Sequence, residues 1–380
     1  MIKFTINKSA FLSNLRVAKQ AIGSKIAIPA LSKFKIVVTA KGIELTASNG
    51  QTSIVKMLPV DDKDLGMLIE SEGSILLEAI FFDSVISQLP DVTFELEEME
   101  NHQVLLRSGK SEITLKGQDA DLYPRIETIQ SAPFAKIEIG KLKQIFNEVA
   151  FAASTQESRP VLTGVHMMLI EHQILVVVAT DSHRLSRRET RLESFGEDFE
   201  VVIPNRAVSG FGNIFSDDEE KVSIYLTSTS VLFKTETINF YSRLIEGAYP
   251  DTDRLIPEDV FYSLDLEFDV SELLHAMNRA RLLTAGMQNG TVKLSVSDDK
   301  DILSVNSPEI GSSYEELNVL EKNGANLDIS FNPQFIIDAL KVVKEPTVRF
   351  RFISNVRPFI ILPKEEGANF IQLITPIRTN

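Results

Sequence analysis

The chain has 380 residues, no cysteine and a formal net charge of −14. The missing cysteines exclude disulfides and cysteine-ligated zinc, and no apolar run is long enough to cross a membrane as a helix. The polar, strand-like start has no charged-then-apolar signal profile, so we expect a cytoplasmic protein, and the length predicts two or three domains. An acidic chain is unsuited to bind nucleic acid over its whole surface, although one groove can still be locally basic.

Taken in chain order, the predicted elements repeat one pattern three times. In the first third a strand at Ile2–Ile6 leads into an amphipathic helix at Lys8–Ile22, and a strand at Ser74–Leu77 leads into a second helix at Ile80–Leu89. The same order returns as Phe134–Ile139, Lys141–Ala153, Glu200–Ile203 and Asn205–Phe215, and again as Tyr262–Phe268, Val270–Thr284, Leu327–Phe331 and Pro333–Val343. A period of roughly 130 residues is the size of a small domain. We therefore predict three similar domains, at residues 1–128, 129–257 and 258–380.

Most of the sequence between these helices alternates between apolar and polar residues with a period of two. Examples are Ile43–Ala47, Glu112–Lys116, Val222–Leu226 and Val348–Phe352. The sequence therefore predicts an α+β fold with antiparallel sheets and two helices in each domain. The predicted junctions, Asp121–Pro133 and Gly247–Pro257, contain prolines and are not Gly/Ser-rich tethers, so closely packed domains are expected.

The predicted helices carry a modest excess of basic residues in an otherwise acidic chain. They include Lys8, Arg16, Lys19, Lys141, Lys143, Arg206, Arg279, Arg281, Lys341 and Lys344. If the helices faced a common axis, these side chains would line one surface and contact phosphates without reading the base sequence. Charge alone favours ordinary solvated helix faces, and the helix at Ile80–Leu89 has no lysine or arginine at all. Both interpretations stay open on the charge pattern alone.

Enzyme motifs receive no support from the sequence. None of the five histidines forms a helical metal-binding pair, and the P-loop, GxGxxG and GxSxG motifs are all missing. Asp181, Ser182 and His183 are consecutive, whereas the members of a catalytic triad converge from distant parts of a chain. We therefore predict no catalytic residue, no metal site and no cofactor.

Four local stretches resemble the signature sequences of one protein family. They are Thr155–Gly164, Ala179–Leu185, Leu244–Asp251 and Gln372–Arg378. The resemblance is to the bacterial sliding clamps, the beta subunits of the replicative DNA polymerase III holoenzyme, and it covers the whole chain with its threefold repeat. The stretch from Arg159 to Gly164 is more similar to the clamps of low-GC Gram-positive bacteria.

The resemblance implies a function without catalysis. In this family two chains join head to tail as a homodimer, and their six domains close a ring around duplex DNA without sequence preference. Helices line the hole, sheets form the outer wall, and a separate ATP-driven clamp loader places the ring on DNA. The ring acts as a processivity factor, and it would explain an acidic exterior combined with a sparse basic lining.

The resemblance also implies a hydrophobic cleft between the central and last domains. There, short peptide motifs of replicative and repair polymerases, the loader and other proteins bind. The matching residues of this chain are Leu162, Thr180, His183, Arg184, Leu185, Pro250, Arg254, Leu255, Asn332, Phe335, Val356, Pro358, Leu373, Thr375, Ile377 and Arg378. Thr375 departs from the family pattern, which has a larger apolar residue there. Leu162 and Leu185 taken alone are equally consistent with ordinary core positions.

Further positions follow from the same resemblance. Lys25, Gln156 and Arg206 match DNA-contacting residues, while Leu282 and Leu283 are expected to meet the partner subunit's Tyr123 and the partner subunit's Ile126 at the dimer seam. The strands at Glu112–Lys116 and Ile302–Asn306 are expected to be edge strands that pair across this seam. Two alternatives stay open, namely a peptide-binding scaffold that never encloses DNA and a hydrolase that uses His183.

Overall fold

A computed structural model describes residues 1–23, 28–126, 129, 131–193, 196–258, 261–285, 290–365 and 369–378. The helices in this part of the chain are α1 (Lys8–Lys19), α2 (Ala79–Gln88), α3 (Ile139–Ala150), α4 (Asn205–Ile214), α5 (Val270–Leu282) and α6 (Pro333–Val342). All the predicted helices are confirmed, with ends that differ from the prediction by at most three residues. The α+β class and the repeated order of elements are confirmed as well.

Strands make up most of the remaining regular structure in the described residues. In chain order they are β1 (Lys3–Asn7), β2 (Lys33–Thr39), β3 (Gly42–Ser48), β4 (Thr52–Pro59), β5 (Leu68–Ser71), β6 (Gly73–Glu78), β7 (Thr93–Glu98), β8 (Gln103–Ser108), β9 (Ser111–Lys116), β10 (Ala135–Glu138), β11 (Gly164–Ile170), β12 (Ile174–Thr180), β13 (Arg184–Arg191), β14 (Phe199–Pro204), β15 (Lys221–Leu226), β16 (Ser230–Lys234), β17 (Ile238–Arg243), β18 (Leu264–Asp269), β19 (Val292–Val296), β20 (Asp301–Ser307), β21 (Gly311–Glu316), β22 (Val319–Gly324), β23 (Leu327–Phe331), β24 (Thr347–Phe352), β25 (Phe359–Pro363) and β26 (Phe370–Ile374).

By internal compactness the chain divides into two units. Unit 1 comprises Met1–Lys143, Ser194–Glu197 and Ser209–Leu244, and unit 2 comprises Gln144–Glu193, Asp198–Val208 and Ile245–Asn380. Each unit contains two antiparallel sheets among its described residues. The division into three domains predicted from the repeat stays a prediction.

Unit 1 combines an eight-stranded sheet, in the order β10-β15-β16-β17-β4-β3-β2-β6, with a five-stranded sheet, in the order β5-β1-β7-β8-β9. Phenylalanines from both helices and from the strands fill the space beside the smaller sheet. The ring centre of Phe11 in α1 lies 5.9 Å from that of Phe82 in α2 and 5.2 Å from that of Phe94 in β7, and all three side chains are fully buried. Such edge-to-face contacts stabilise the core beyond the burial of apolar area.

Unit 2 combines a nine-stranded sheet, in the order β14-β11-β12-β13-β26-β25-β24-β18-β22, with a four-stranded sheet, in the order β21-β20-β19-β23. Helices α5 and α6 bury Leu273, Met277, Ile336 and Leu340 in its largest apolar cluster. Helix α5 follows the capping residue Asp269, whose carboxylate accepts the backbone N–H of Glu272 at 2.8 Å.

One of the two predicted edge strands is correct and the other is wrong. Strand β9 lies at an edge of the five-stranded sheet, as predicted for Glu112–Lys116. The segment Ile302–Asn306 lies in β20, which is an inner strand between β19 and β21. The chain reverses between Ser307 and Gly311, where glycine adopts a φ of +129°, and β21 then pairs back onto β20 and becomes the edge.

Candidate functional site

A tight turn between β12 and β13 organises the predicted cleft. The Thr180 hydroxyl donates to the carbonyl of Arg184 at 2.6 Å, and the Asp181 carboxylate accepts the backbone N–H groups of His183 and Arg184, each at 2.9 Å. Ser182 takes the left-handed conformation with a φ of +77°. The Asp181 carboxylate therefore stabilises the backbone of this turn.

Arg184 is a fixed part of the cleft. Its guanidinium donates to Asp181 at 3.1 Å and to Asp338 of α6 at 2.6 Å. The same group lies 4.7 Å from the ring centre of Phe335 and 5.4 Å from that of Phe151. Two carboxylates and two aromatic faces therefore hold one half-buried cation, which joins β13 to α6.

Tyr249 is a buried residue of the site that the sequence analysis did not identify. Its buried hydroxyl accepts a hydrogen bond from the backbone N–H of Thr180 at 3.1 Å. Its ring stacks on the imidazole of His166, with 4.6 Å between the two ring centres. Burial raises the pKa of the Tyr249 hydroxyl, which therefore stays protonated. The ring also packs with Leu162 and Val202 in a small apolar cluster. One signal was available, because a Tyr-Pro pair occurs at both predicted domain junctions, at residues 123–124 and 249–250.

An open cavity of about 660 Å³ adjoins the turn and α6. Five of the predicted cleft residues line it, namely His183, Asn332, Phe335, Thr375 and Ile377. Backbone hydrogen bonds fix the wall, because the Thr375 N–H donates to the carbonyl of His183 at 2.9 Å and the Ile377 N–H donates to that of Ser330 at 2.7 Å. A volume of this size suits a few side chains of a bound peptide.

The other predicted cleft residues are distributed below and around this cavity. Leu185 and Leu373 face each other across paired strands and are buried in a second apolar cluster with Val178 and Ile360. The remaining positions are exposed or half-buried on connecting segments: Pro250, Arg254, Leu255, Val356, Pro358 and Arg378. Their roles in binding stay predictions.

The predicted DNA and dimer residues are mostly accessible. Gln156 and Arg206 are exposed, Leu282 is 67% exposed at the end of α5, and Leu283 is half-buried against the core. Tyr123 differs, because its side chain is only 4% exposed and packs within its own chain. Ile126 is half-buried, whereas the neighbouring Leu122 is 61% exposed. Lys25 lies outside the described residues.

Several of the basic helix residues are paired with acids of the same unit. Asp83 of α2 accepts Lys19 at 2.5 Å and lies 3.6 Å from Arg16, and Lys143 contacts Asp218 at 2.6 Å. Arg279 pairs with Glu315. At least one side chain of each pair is partly exposed to solvent, so the pairs contribute little to stability. They do reduce the positive potential of the helix faces.

Two further structural features bear on other function classes. No group of three or more His, Asp or Glu side chains in the described part of the chain is arranged to hold a metal ion. Among the described helices, none is both long and apolar enough to cross a membrane.

Comparisons with known proteins decide the family. Family models of the DNA polymerase III beta subunit match in order along the chain, with the N-terminal domain at residues 2–127, the central domain at 136–251 and the C-terminal domain at 253–378. The chain belongs to the DNA polymerase III beta subunit family.

Relatives of this family match over their full length. The chain is 56% identical to the beta sliding clamp of Lactococcus lactis subsp. lactis and 39% identical to that of Staphylococcus aureus, with complete coverage of both chains. It is also similar to the crystal structure of DNA polymerase III, beta chain from Streptococcus pneumoniae, at 51% identity and a TM-score of 0.97 over the whole of both chains. The predicted resemblance to clamps of low-GC Gram-positive bacteria is confirmed by these relatives.

Proposed function

We propose that the chain is a sliding clamp that encircles duplex DNA as a homodimer and tethers the replicative polymerase to it. The observation that carries the proposal is that three beta-subunit domains match in order along the chain, together with full-length similarity to beta sliding clamps at 56% and 39% identity. Domains at residues 1–128, 129–257 and 258–380 would each supply one sixth of the ring. Helices α1–α6 would then face the DNA.

The charge distribution supports a ring that holds DNA by enclosure. The net charge of −14 disfavours binding of DNA to the outer surface. Arg206, Arg281 and Lys341 are exposed on the helices, while Lys19 and Arg279 are paired with acids. A small number of phosphate contacts binds weakly and without sequence preference, which permits sliding. Retention on DNA would therefore come from ring closure.

We further propose that unit 2 binds partner peptides in the cleft built around Arg184 and Tyr249. An apolar floor at Leu185 and Leu373 underlies the region, and the open cavity beside His183 and Phe335 offers space for apolar side chains. Partners would include polymerases and the clamp loader. The chain itself would catalyse no reaction, because the Asp181 carboxylate that adjoins His183 is used to hold the turn.

The deciding experiment measures topological retention. Clamp loader and ATP should place the protein on nicked circular DNA, from which gel filtration should not remove it, and cutting the circle should release it. A scaffold that never encloses DNA would show no difference between circular and linear DNA. Release that is independent of the cut would contradict the ring.

A matched variant tests the dimer that the ring requires. Leu282 is 67% exposed in the single chain, so Leu282→Asp should leave the fold intact but place a charge in an apolar seam. Analytical ultracentrifugation should give twice the chain mass of 42.4 kDa for the native protein and one chain mass for the variant. Leu320→Asp, at a residue that is 50% exposed in β22, is the control and should remain dimeric.

A further inference from the structure

Unit 1 contains a second copy of the turn that organises the cleft. The Ser48 hydroxyl donates to the carbonyl of Thr52 at 3.1 Å, and the Asn49 side chain accepts the backbone N–H groups of Gln51 and Thr52, each at 2.9 Å. Gly50 has a φ of +85°. These are the hydrogen bonds and the left-handed residue of the Thr180–Arg184 turn, with each donor and acceptor in the same place.

The surroundings of the two turns also correspond. Leu31, on a 3-10 turn at Pro29–Ser32, packs with the buried Tyr123, as Leu162 on the 3-10 turn at Pro160–Thr163 packs with Tyr249. Strand pairing gives the same register, because Thr52 is opposite Ser242 as Arg184 is opposite Ile374. The Arg243 N–H donates to the carbonyl of Gln51 at 2.9 Å, as the Thr375 N–H donates to that of His183.

A cavity of about 340 Å³ adjoins the unit 1 turn. Gln51, Pro124, Ile129 and Arg243 line it. Gln51 and Arg243 correspond to His183 and Thr375 in the shared register. Pro124 and Ile129 follow Tyr123 at the same sequence distances at which Pro250 and Leu255 follow Tyr249. All four of the corresponding residues in unit 2 belong to the predicted peptide cleft. Unit 1 therefore has a pocket built on the same backbone frame, from residues that do not belong to the predicted peptide cleft.

The lining of the unit 1 pocket has a different chemistry. Ser53 and Tyr241 occupy the register of the apolar Leu185 and Leu373, and Arg243 occupies that of Thr375. Arg125 adds a second cation beside Pro124, and no acidic side chain is found among the described residues that line the cavity. In a chain with a net charge of −14, this rim favours an anionic ligand. Leu31 and Ile129 still provide an apolar floor.

We propose that the unit 1 pocket binds a short peptide segment that places an aliphatic side chain on Leu31 and Ile129 and a carboxylate against Arg125 and Arg243. The carboxylate follows from Arg125 and Arg243, the two cations on the described lining of the pocket. The proposal takes that cleft as its template, but it requires neither the ring nor DNA.

Disulfide tethering tests the proposal, because the native chain has no cysteine. Thr229→Cys places one thiol at the exposed rim of the pocket. The two probes are acetyl-Leu-Glu and acetyl-Leu-Gln, each joined through its C-terminal amide to the same cysteamine disulfide. The introduced thiol attacks this disulfide and releases the capping thiol. Intact mass spectrometry measures the labelled fraction at one fixed reductant concentration. A charge-assisted contact to arginine should favour the glutamate probe by about tenfold.

Arginine variants and a cleft control give each outcome a meaning. In the Thr229→Cys protein, Arg243→Gln with Arg125→Gln should abolish the preference, whereas Arg243→Lys should retain part of it; thermal unfolding checks that each variant is folded. Pro358→Cys, at the rim of the predicted unit 2 cleft, should show a weaker preference for glutamate, because Arg184 and Arg254 are already paired with acids. Equal labelling by both probes at Thr229→Cys overturns the proposal, as does a preference that survives loss of both arginines. Labelling at Pro358→Cys alone would overturn it while leaving the proposed cleft unaffected.

Discussion

The turns at Ser48–Thr52 and Thr180–Arg184 have the same hydrogen bonds, but they present different side chains to their cavities. The positions that hold the backbone keep their chemistry, with Ser or Thr first and Asn or Asp second. The positions that face the cavity differ in chemistry between the two units, as Arg243 and Thr375 do. A repeated fold can therefore reproduce a binding site's frame and still assign each copy a different ligand.

The second position of the turn shows how such a difference is accommodated. In unit 2, Asp181 carries a charge and contacts the cation of Arg184, which Asp338 also binds. In unit 1 the same places hold the neutral pair Asn49 and Thr52. Both combinations satisfy the turn, because an amide oxygen and a carboxylate oxygen accept backbone N–H groups equally well in geometry. Only unit 2 gains a fixed arginine that joins the turn to α6.

The largest expected effect comes from removing the buried tyrosine of each turn. Tyr249→Ala and Tyr123→Ala should each destabilise its own unit by about 3–5 kcal/mol, since a large buried side chain leaves a cavity. Hydrogen exchange measured by mass spectrometry should detect faster exchange in β12 and β3, respectively. Tyr314→Ala is the control, because Tyr314 is 69% exposed. If only one of the two tyrosine variants lost stability, the equivalence of the two turns would be contradicted.

A smaller effect should follow from removing only the hydroxyl of Tyr249. Tyr249→Phe leaves the buried N–H of Thr180 without its acceptor, which should cost about 1–3 kcal/mol of unfolding free energy. Urea denaturation measures the change. If the variant were as stable as the native protein, the hydrogen bond between Tyr249 and Thr180 could not be what holds the turn.

Exchanging one residue between the two pockets should exchange part of their preference. Thr375→Arg should raise the affinity of the unit 2 cleft for an acidic peptide by about tenfold, and Arg243→Thr should lower that of the unit 1 pocket by a similar factor. Titration calorimetry with paired Glu and Gln peptides measures both changes. Thr375→Gln is the control for size. Unchanged affinities in both directions would mean that these positions do not select the ligand.

The smallest expected effect is a difference in pH dependence between the units. Burial lowers the pKa of His166, and this outweighs the opposing influence of Glu200, whose carboxylate lies 2.9 Å away, and of Asp253. The folded state therefore favours neutral His166, so stability is fully present above the unfolded pKa of about 6.5 and falls as the pH drops below it. In unit 1, Lys35 of β2 occupies the strand position that corresponds to His166 of β11.

The measurement compares urea midpoints at about pH 7.5 and about pH 5.5, where histidine is the side chain that ordinarily titrates. Unit 2 should lose more stability than unit 1, and His166→Gln should reduce the difference. Burial raises the pKa of Glu148, which acts in the opposite direction, but that contribution is present in both proteins and cancels. A difference that persists unchanged in His166→Gln would assign the pH dependence to another group.

The helices were predictable because their signal is local. The apolar residues of α1 and α6 recur at the helical period, and polar caps such as Asn332 mark where a helix begins. The order of strands within a sheet is not local. The segment Ile302–Asn306 was predicted to be an edge strand. In the structure β21 pairs with its outer side, because the chain that follows it turns back and runs beside it.

The cleft was predictable only as a set of positions taken from a family resemblance. Sequence reasoning placed His183 and Phe335 in one site, and both line the same cavity. It did not find Tyr249 or Asp338, although these hold the Thr180 backbone and the Arg184 side chain. Both act across long stretches of chain, and no spacing rule connects residues that meet only after folding.

The sequence by itself determined the class of fold, the threefold repeat and the position of each helix, because periodicity and capping are properties of neighbouring residues. Tertiary structure alone decided which strand closes a sheet, which arginine is held by two carboxylates, and where a second pocket repeats the first. Those outcomes depend on distances between residues far apart in the chain, and such distances are fixed only when the cores of the two units pack.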